Sequence, residues 1–193
     1  MARDAEATKL RIFEAAFEEF ARYGIAGARI DRIAMRASAN KALIYTYFGS
    51  KQSLFDEVVT DQVARFDREV PFDPEDLPGH AGAAYDFLTA HPELVRLGEW
   101  HGLEEGAEGR RIPAIAQLRA RRVRSIARAQ KAGIVSATFP PDQLLALIWS
   151  LARTWAAAAP ELRLTANGEQ RSRASRRRAV VEATRRLVSC DGD

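Results

Sequence analysis

Lys41, Ala42, Tyr45 and Thr46 fall close together in one short run. At about 100° per residue they share one side of a helix. A cation, a methyl, a phenol and a hydroxyl make a poor core face, but they suit a helix laid in a DNA major groove. Lysine and threonine reach base edges or phosphate, alanine meets a thymine methyl, and tyrosine does either job. Leu43, Ile44 and Phe48 share the opposite face and are expected to dock on the preceding helix. The same spacing also fits a helical hairpin whose outer face has no partner. Spacing alone leaves both readings open.

Other reactive side chains are sparse. His80, His91 and His101 are too scattered for a metal motif, and His101 with Glu104 is half of a ligand set without its second half. No serine, cysteine or paired-carboxylate arrangement stands out, and no glycine-rich phosphate loop is present. Neither an enzyme nor a cofactor is expected. On the run 112–132, Arg119 and Arg122 project into the apolar face of Ile112, Ile115, Val123 and Ile126. Arg121, Arg124, Arg128 and Lys131 face away. A guanidinium on an apolar face needs a partner, because an unpaired buried charge is very costly.

The elements that must position these groups are all helical. Residues 5–23 read as an amphipathic helix with Leu10, Ile12, Phe13, Ala16, Phe17 and Phe20 on its face and Gly24 as its stop. Residues 29–37 and 40–48 are two short helices around a Ser38-Ala39 corner, with Asn40 as N-cap of the second. Ser50 caps a longer helix to about Val70, with Leu54, Phe55, Val58, Val59, Gln62 and Phe66 as its spine. The proline-rich stretch 71–79 reads as a surface loop. Helices follow at about 80–90, 92–105, 112–132, 142–159 and 169–190. The helix at 142–159 is apolar on most of its circumference, so its own chain or a second copy must cover it.

Gly24, Ile30-Asp31-Arg32-Ile33-Ala34, Ala37, Asn40-Lys41 and the run from Ile44 to Lys51 (IYTYFGSK), with Leu54 and Phe55, resemble the N-terminal domain of the TetR family of bacterial repressors. The match covers roughly residues 8–58. It implies an all-α chain with a three-helix, helix-turn-helix DNA-binding domain at 1–49 and a helical effector-binding and dimerisation domain at 50–193. Lys41, Ala42, Tyr45 and Thr46 become base-reading candidates, and Tyr45, Tyr47 and Lys51 stand where such proteins touch phosphate. Asn40 and Arg29 complete the DNA-facing set. Two departures matter: Ala28-Arg29 replaces the usual Thr or Ser opening the first helix of the pair, and Ser38 replaces the usual turn glycine.

The resemblance also implies a homodimer through the last two helices, with Leu144, Leu145, Ile148, Ala152, Val180, Thr184 and Leu187 at the interface, reading a palindromic operator. It further implies a small-molecule effector. Arg119 or Arg122 is expected to meet Glu104 or His101 across a cavity lined by Tyr85, Phe87, Leu88, Trp100, Trp149 and Trp155. The alternatives are a structural ion pair and arginine stems snorkelling outward; free cations would favour an anionic, aromatic effector. The functional expectation is a repressor released from DNA by its effector. The alternative is a helical dimer that binds a small molecule or protein without DNA.

Composition fits this picture. Apolar content is 47% and the formal net charge is +3. Residues 53–109 carry three cations against fourteen acids, whereas residues 110–132 carry eight cations and no acid. That basic run reads either as a second nucleic-acid stripe or as a helix neutralised by the acidic segment. Cys190 is the only cysteine, which fits a reducing compartment. The first residues lack the apolar core of a signal peptide, and the most apolar run, Leu144 to Ala159, is too short to span a bilayer. A cytoplasmic location with no membrane partner is the expectation.

Overall fold

The computed structural model describes residues 2–105, 110–157 and 172–190. The described residues form helices without a strand: α1 (Ala2–Gly27), α2 (Ile30–Arg36), α3 (Lys41–Phe48), α4 (Lys51–Glu69), α5 (Leu77–Ala90), α6 (Pro92–Glu105), α7 (Pro113–Lys131), α8 (Pro141–Ala157) and α9 (Arg173–Val188). Compactness divides the chain elsewhere than the expected 49/50 boundary. One unit comprises residues 1–64 and 93–114, and the other comprises 65–92 and 115–193.

In the first unit, Ile12, Ala16 and Phe20 of α1, Ile30 and Ile33 of α2, Ile44 and Phe48 of α3, and Leu54, Phe55 and Val58 of α4 form a single core. Leu97 and Ile112 join it, so α6 belongs with the helix-turn-helix by packing. Phe20 meets Phe55 edge-to-face at 5.2 Å, a geometry that adds to area burial. Two expected core residues are not core. Leu10 is 58% exposed because it lies a quarter-turn or more outside the Ile12–Ala16–Phe20 stripe. Leu43 is 37% exposed because Ile44, Tyr47 and Phe48 already fill the docking side of α3.

The expected stop at Gly24 is a kink rather than an end. Gly24 has φ +68, and one further turn runs to Gly27. Glu104 caps that turn: its carboxylate accepts from the Ile25 N–H at 2.8 Å and the Ala26 N–H at 3.0 Å. A Cβ on Gly24 would stand 2.4 Å from Glu104 Oε1 and 3.0 Å from the Trp100 ring.

The second unit packs α5 against α8 and α9. Leu77, Ala81 and Tyr85, Ile126 and Ala129, Leu144 and Ile148, and Val180 make its core. Gly82 lets α9 approach closely, since a Cβ there would meet Arg177 and Val181 at 2.9 Å. The loop expected over 71–79 is shorter than the prolines suggest. Asp76 accepts from the Gly79 N–H at 2.8 Å and starts α5 at Leu77, with Pro78 tolerated in the first turn. Three cations of the basic run pair with acids of the acidic segment. Arg110 makes a bidentate pair with Asp56 in the first unit. Arg121 and Arg122 both pair with Asp67 in the second.

Candidate nucleic-acid interface

The corner between α2 and α3 is built from backbone upward. The Ala37 N–H donates to Ile33 O at 2.9 Å, and the Ala39 N–H donates to Ala34 O at 2.9 Å. Ser38 between them sits in the left-handed region at φ +49, where the absent glycine would be unstrained. Asn40 Oδ1 accepts from the Ala42 N–H at 2.9 Å, which is the N-cap its side chain suits. Arg11 of α1 closes the corner from outside, its Nε donating to Ala37 O at 3.1 Å.

The start of α2 has a cap that sequence reasoning missed. No side chain at Arg29 caps the helix. Instead Glu19, only 1% exposed, accepts from the Arg29 N–H at 3.0 Å and from Arg32 Nε at 2.6 Å. Arg32 lies over the Tyr23 ring at 4.3 Å and donates to Gly27 O at 2.8 Å. Glu19 thus ties down the N-cap residue from another helix, through the Arg29 amide rather than the N2 or N3 amides that a threonine or serine would cap. The signal was an acid on the apolar face of α1 opposite an uncapped helix start.

The outward face is as expected. Lys41, Ala42, Tyr45 and Thr46 are exposed, as are Arg29 and Asn40, while Tyr47 and Lys51 are half-buried. Thr46 returns its hydroxyl to Ala42 O at 2.9 Å. Lys51 Nζ donates to Ala28 O at 3.1 Å, so this cation bridges the start of α4 to the start of α2. Lys41 Nζ pairs with Asp31 at 2.8 Å, and that hydrogen bond holds its ammonium pKa above the ordinary lysine value. The arrangement presents a short capped helix whose exposed side carries a lysine, a methyl, a phenol and a hydroxyl, side chains able to reach base edges or phosphate.

Comparison with known proteins accounts for both ends of the chain. Residues 12–58 match the model of bacterial regulatory proteins of the tetR family, and residues 76–186 match the tetracyclin repressor-like C-terminal domain. The chain belongs to the TetR family. It is 42% identical to the HTH-type transcriptional repressor SCO4008 of Streptomyces coelicolor, over 97% of this chain and 98% of that protein. It is 32% identical to the HTH-type transcriptional repressor NicS of Pseudomonas putida, over 61% of this chain and 58% of that protein. The crystal structure of the putative transcriptional regulator SCO4942 from Streptomyces coelicolor superposes with a TM-score of 0.81 at 37% identity, covering 94% of this chain and 98% of that one. The protein is accordingly a helix-turn-helix, DNA-binding transcriptional regulator.

In this TetR-family chain each of the arginines expected at the effector site has an acid beside it in its own unit. Arg122 is buried at 5% exposure, but its partners are Asp67 at 3.3 Å and His80 Nε2 at 3.5 Å, with Phe66 and Phe72 against its guanidinium at 5.1 and 4.9 Å. Arg119 points away from the core, its side chain 60% exposed and 3.8 Å from Asp142. Ile115, expected on the same apolar face, is also exposed. Glu104 is hydrogen-bonded within the first unit, and His101 packs there with its buried Nδ1 making no hydrogen bond among the described residues. Glu104 caps the turn after Gly24, and His101 stacks obliquely on Phe55 at 6.0 Å. Trp100 lies against Gly24.

Within the second unit several expected pocket residues do converge. Phe87 and Trp149 both meet Phe66 edge-to-face at 5.4 Å. Tyr85 meets Trp155 at 6.2 Å, and Leu88 is buried. Burial pushes the His80 imidazole down to about 4 and lowers the Arg122 guanidinium. His80 Nδ1 therefore donates to Pro71 O at 2.7 Å, leaving Nε2 as an acceptor beside Arg122.

The expected dimer residues need the sharpest correction. Leu144, Ile148, Ala152, Val180 and Thr184 are at most 1% exposed within one chain, because α5, α8 and α9 consume those faces in their own core. Leu145 and Leu187 are half-buried against it. Gln143, Ala146, Leu147, Ser150 and Thr154 of α8 are the exposed stripe instead. Residues 158–159 and 169–171 of the two expected helices lie outside the described residues. Among the described residues no helix is long and apolar enough to cross a membrane.

Proposed function

We propose that the protein is a homodimeric repressor that reads a palindromic operator through α3 and is released from it by a small-molecule effector bound in the C-terminal domain. The observation carrying this reading is the exposed set Lys41, Ala42, Tyr45 and Thr46 on a capped helix whose opposite side, Ile44 and Phe48, is core. Lys51, Tyr47 and Arg29 flank that set as phosphate contacts, and residues 1–49 form the functional reading head. Two copies joined through the outer stripe of α8 present two α3 helices to successive turns of a duplex. The relatives SCO4008 and NicS are named as repressors, which supports repression and no catalytic step. One structural neighbour, FadR of Bacillus subtilis, is described in complex with stearoyl-CoA. At 13% identity it shares the fold and leaves the effector of this chain open.

Selection of bound duplexes from random sequence tests the reading. A binder enriches a symmetric site and loses affinity steeply as salt rises. Tyr45→Ala is expected to weaken the enriched site by roughly ten- to a hundredfold, with the oligomeric state unchanged. Recovery of no enriched sequence would end the proposal.

A further inference from the structure

Between Phe20 and Phe55 the chain carries six cations (Arg22, Arg29, Arg32, Arg36, Lys41 and Lys51) and a single acid, Asp31. A surface that must approach a polyanion has every electrostatic reason to exclude carboxylates. Asp31 is nonetheless there, in the first turn of α2, and its Oδ1 holds Lys41 Nζ at 2.8 Å. Both side chains are open to solvent, 74% and 50% exposed. A pair so exposed contributes little to folding, and an acid near a helix start gains only a modest dipole term. Its place beside the first residue of the reading helix matters more.

We propose that Asp31 sets the sequence selectivity of this regulator by competing with DNA for Lys41. The inference rests on the reading of α3 as the major-groove helix. On an arbitrary duplex Lys41 can gain only a phosphate, and to do so it must leave Asp31 as a bare carboxylate facing the backbone charges. On the operator Lys41 gains guanine O6 or N7, and Asp31 gains an acceptor role toward a cytosine amino group. The carboxylate penalises every sequence, and only a duplex with suitable base edges offsets the penalty.

The test compares wild type, Asp31→Asn and Asp31→Glu on two probes: the duplex enriched from random sequence by the wild type, and a mixed-sequence duplex of equal length. Binding is measured across a salt series. Asp31→Asn is expected to tighten the mixed-sequence duplex about fivefold and to steepen its salt slope by about one. Its affinity for the enriched duplex should change less than about twofold, because the lost repulsion and the lost cytosine contact oppose each other. Asp31→Glu keeps the charge and should behave as wild type. If Asp31→Asn moves both probes by the same factor, or loosens both as a destabilised α2 would, the proposal is wrong while the DNA reading stands. If the wild type shows no salt-dependent binding to either probe, the DNA reading fails and takes the proposal with it.

Discussion

Glu19 sits at 1% exposure with one oxygen shared between the Arg29 N–H and Arg32 and the other without a hydrogen-bond partner. Replacing it by alanine orphans the amide of Arg29, the N-cap of α2, and leaves Arg32 without its acid, so Glu19→Ala should cost about 2–3 kcal/mol in urea unfolding. Glu19→Gln keeps an acceptor and should cost about 1 kcal/mol. Ser38 behaves oppositely: Ser38→Gly relieves the strain of φ +49 and should stabilise by up to about 1 kcal/mol. His80 adds a pH signature. Its pKa is near 4 in the fold against about 6.5 unfolded. The unfolded chain therefore binds a proton first as pH falls, and stability present above about 6.5 is lost toward 4, by at most about 3 kcal/mol. Thermal melts at pH 7 and pH 5 should show the loss, and His80→Gln should flatten that part of the profile.

At the scale of helices, what the sequence made legible was whatever depends on neighbours along the chain. The corner at Ser38, the Asn40 cap and the exposed face of α3 follow from local spacing, and the structure has all three. The side of α8 that its own chain would consume does not follow from spacing. An apolar helix announces that it is covered, and only tertiary packing says that α5 and α9 cover Leu144, Ile148 and Ala152. Arg122 was readable as a buried cation in need of a partner, but not as a partner of Asp67, which lies 55 residues away. That pair carries an asymmetric prediction. Asp67→Leu leaves a buried guanidinium without its acid and should cost about 3 kcal/mol or more. Arg122→Met removes the buried charge, leaves Asp67 with Arg121 at 2.5 Å, and should cost less than about 1 kcal/mol. Chemical denaturation of the two single variants separates them.

For the whole molecule the decisive quantity is the number of reading helices joined together. One α3 offers few base contacts, and each good one is worth about 1–3 kcal/mol. A single subunit therefore has little selectivity over a genome. Joining two subunits makes the second engagement intramolecular, at an effective concentration that can raise affinity by about 10²–10⁴ without any new contact. The stripe of Gln143, Ala146, Leu147, Ser150 and Thr154 is where that joint is proposed, since Leu147 is 39% exposed there and Leu144, Ile148 and Ala152 are already buried in the chain's own core. Leu147→Glu places like charges across a two-fold axis while touching none of the buried α8 residues. Sedimentation should show monomers with unchanged helicity and a folded core. Affinity for a full palindrome should fall by about 10²-fold or more, and affinity for an isolated half-site should hardly change. A variant that stays dimeric would move the interface to another face, and a monomer that still binds the palindrome at full strength would remove the dimer from the mechanism.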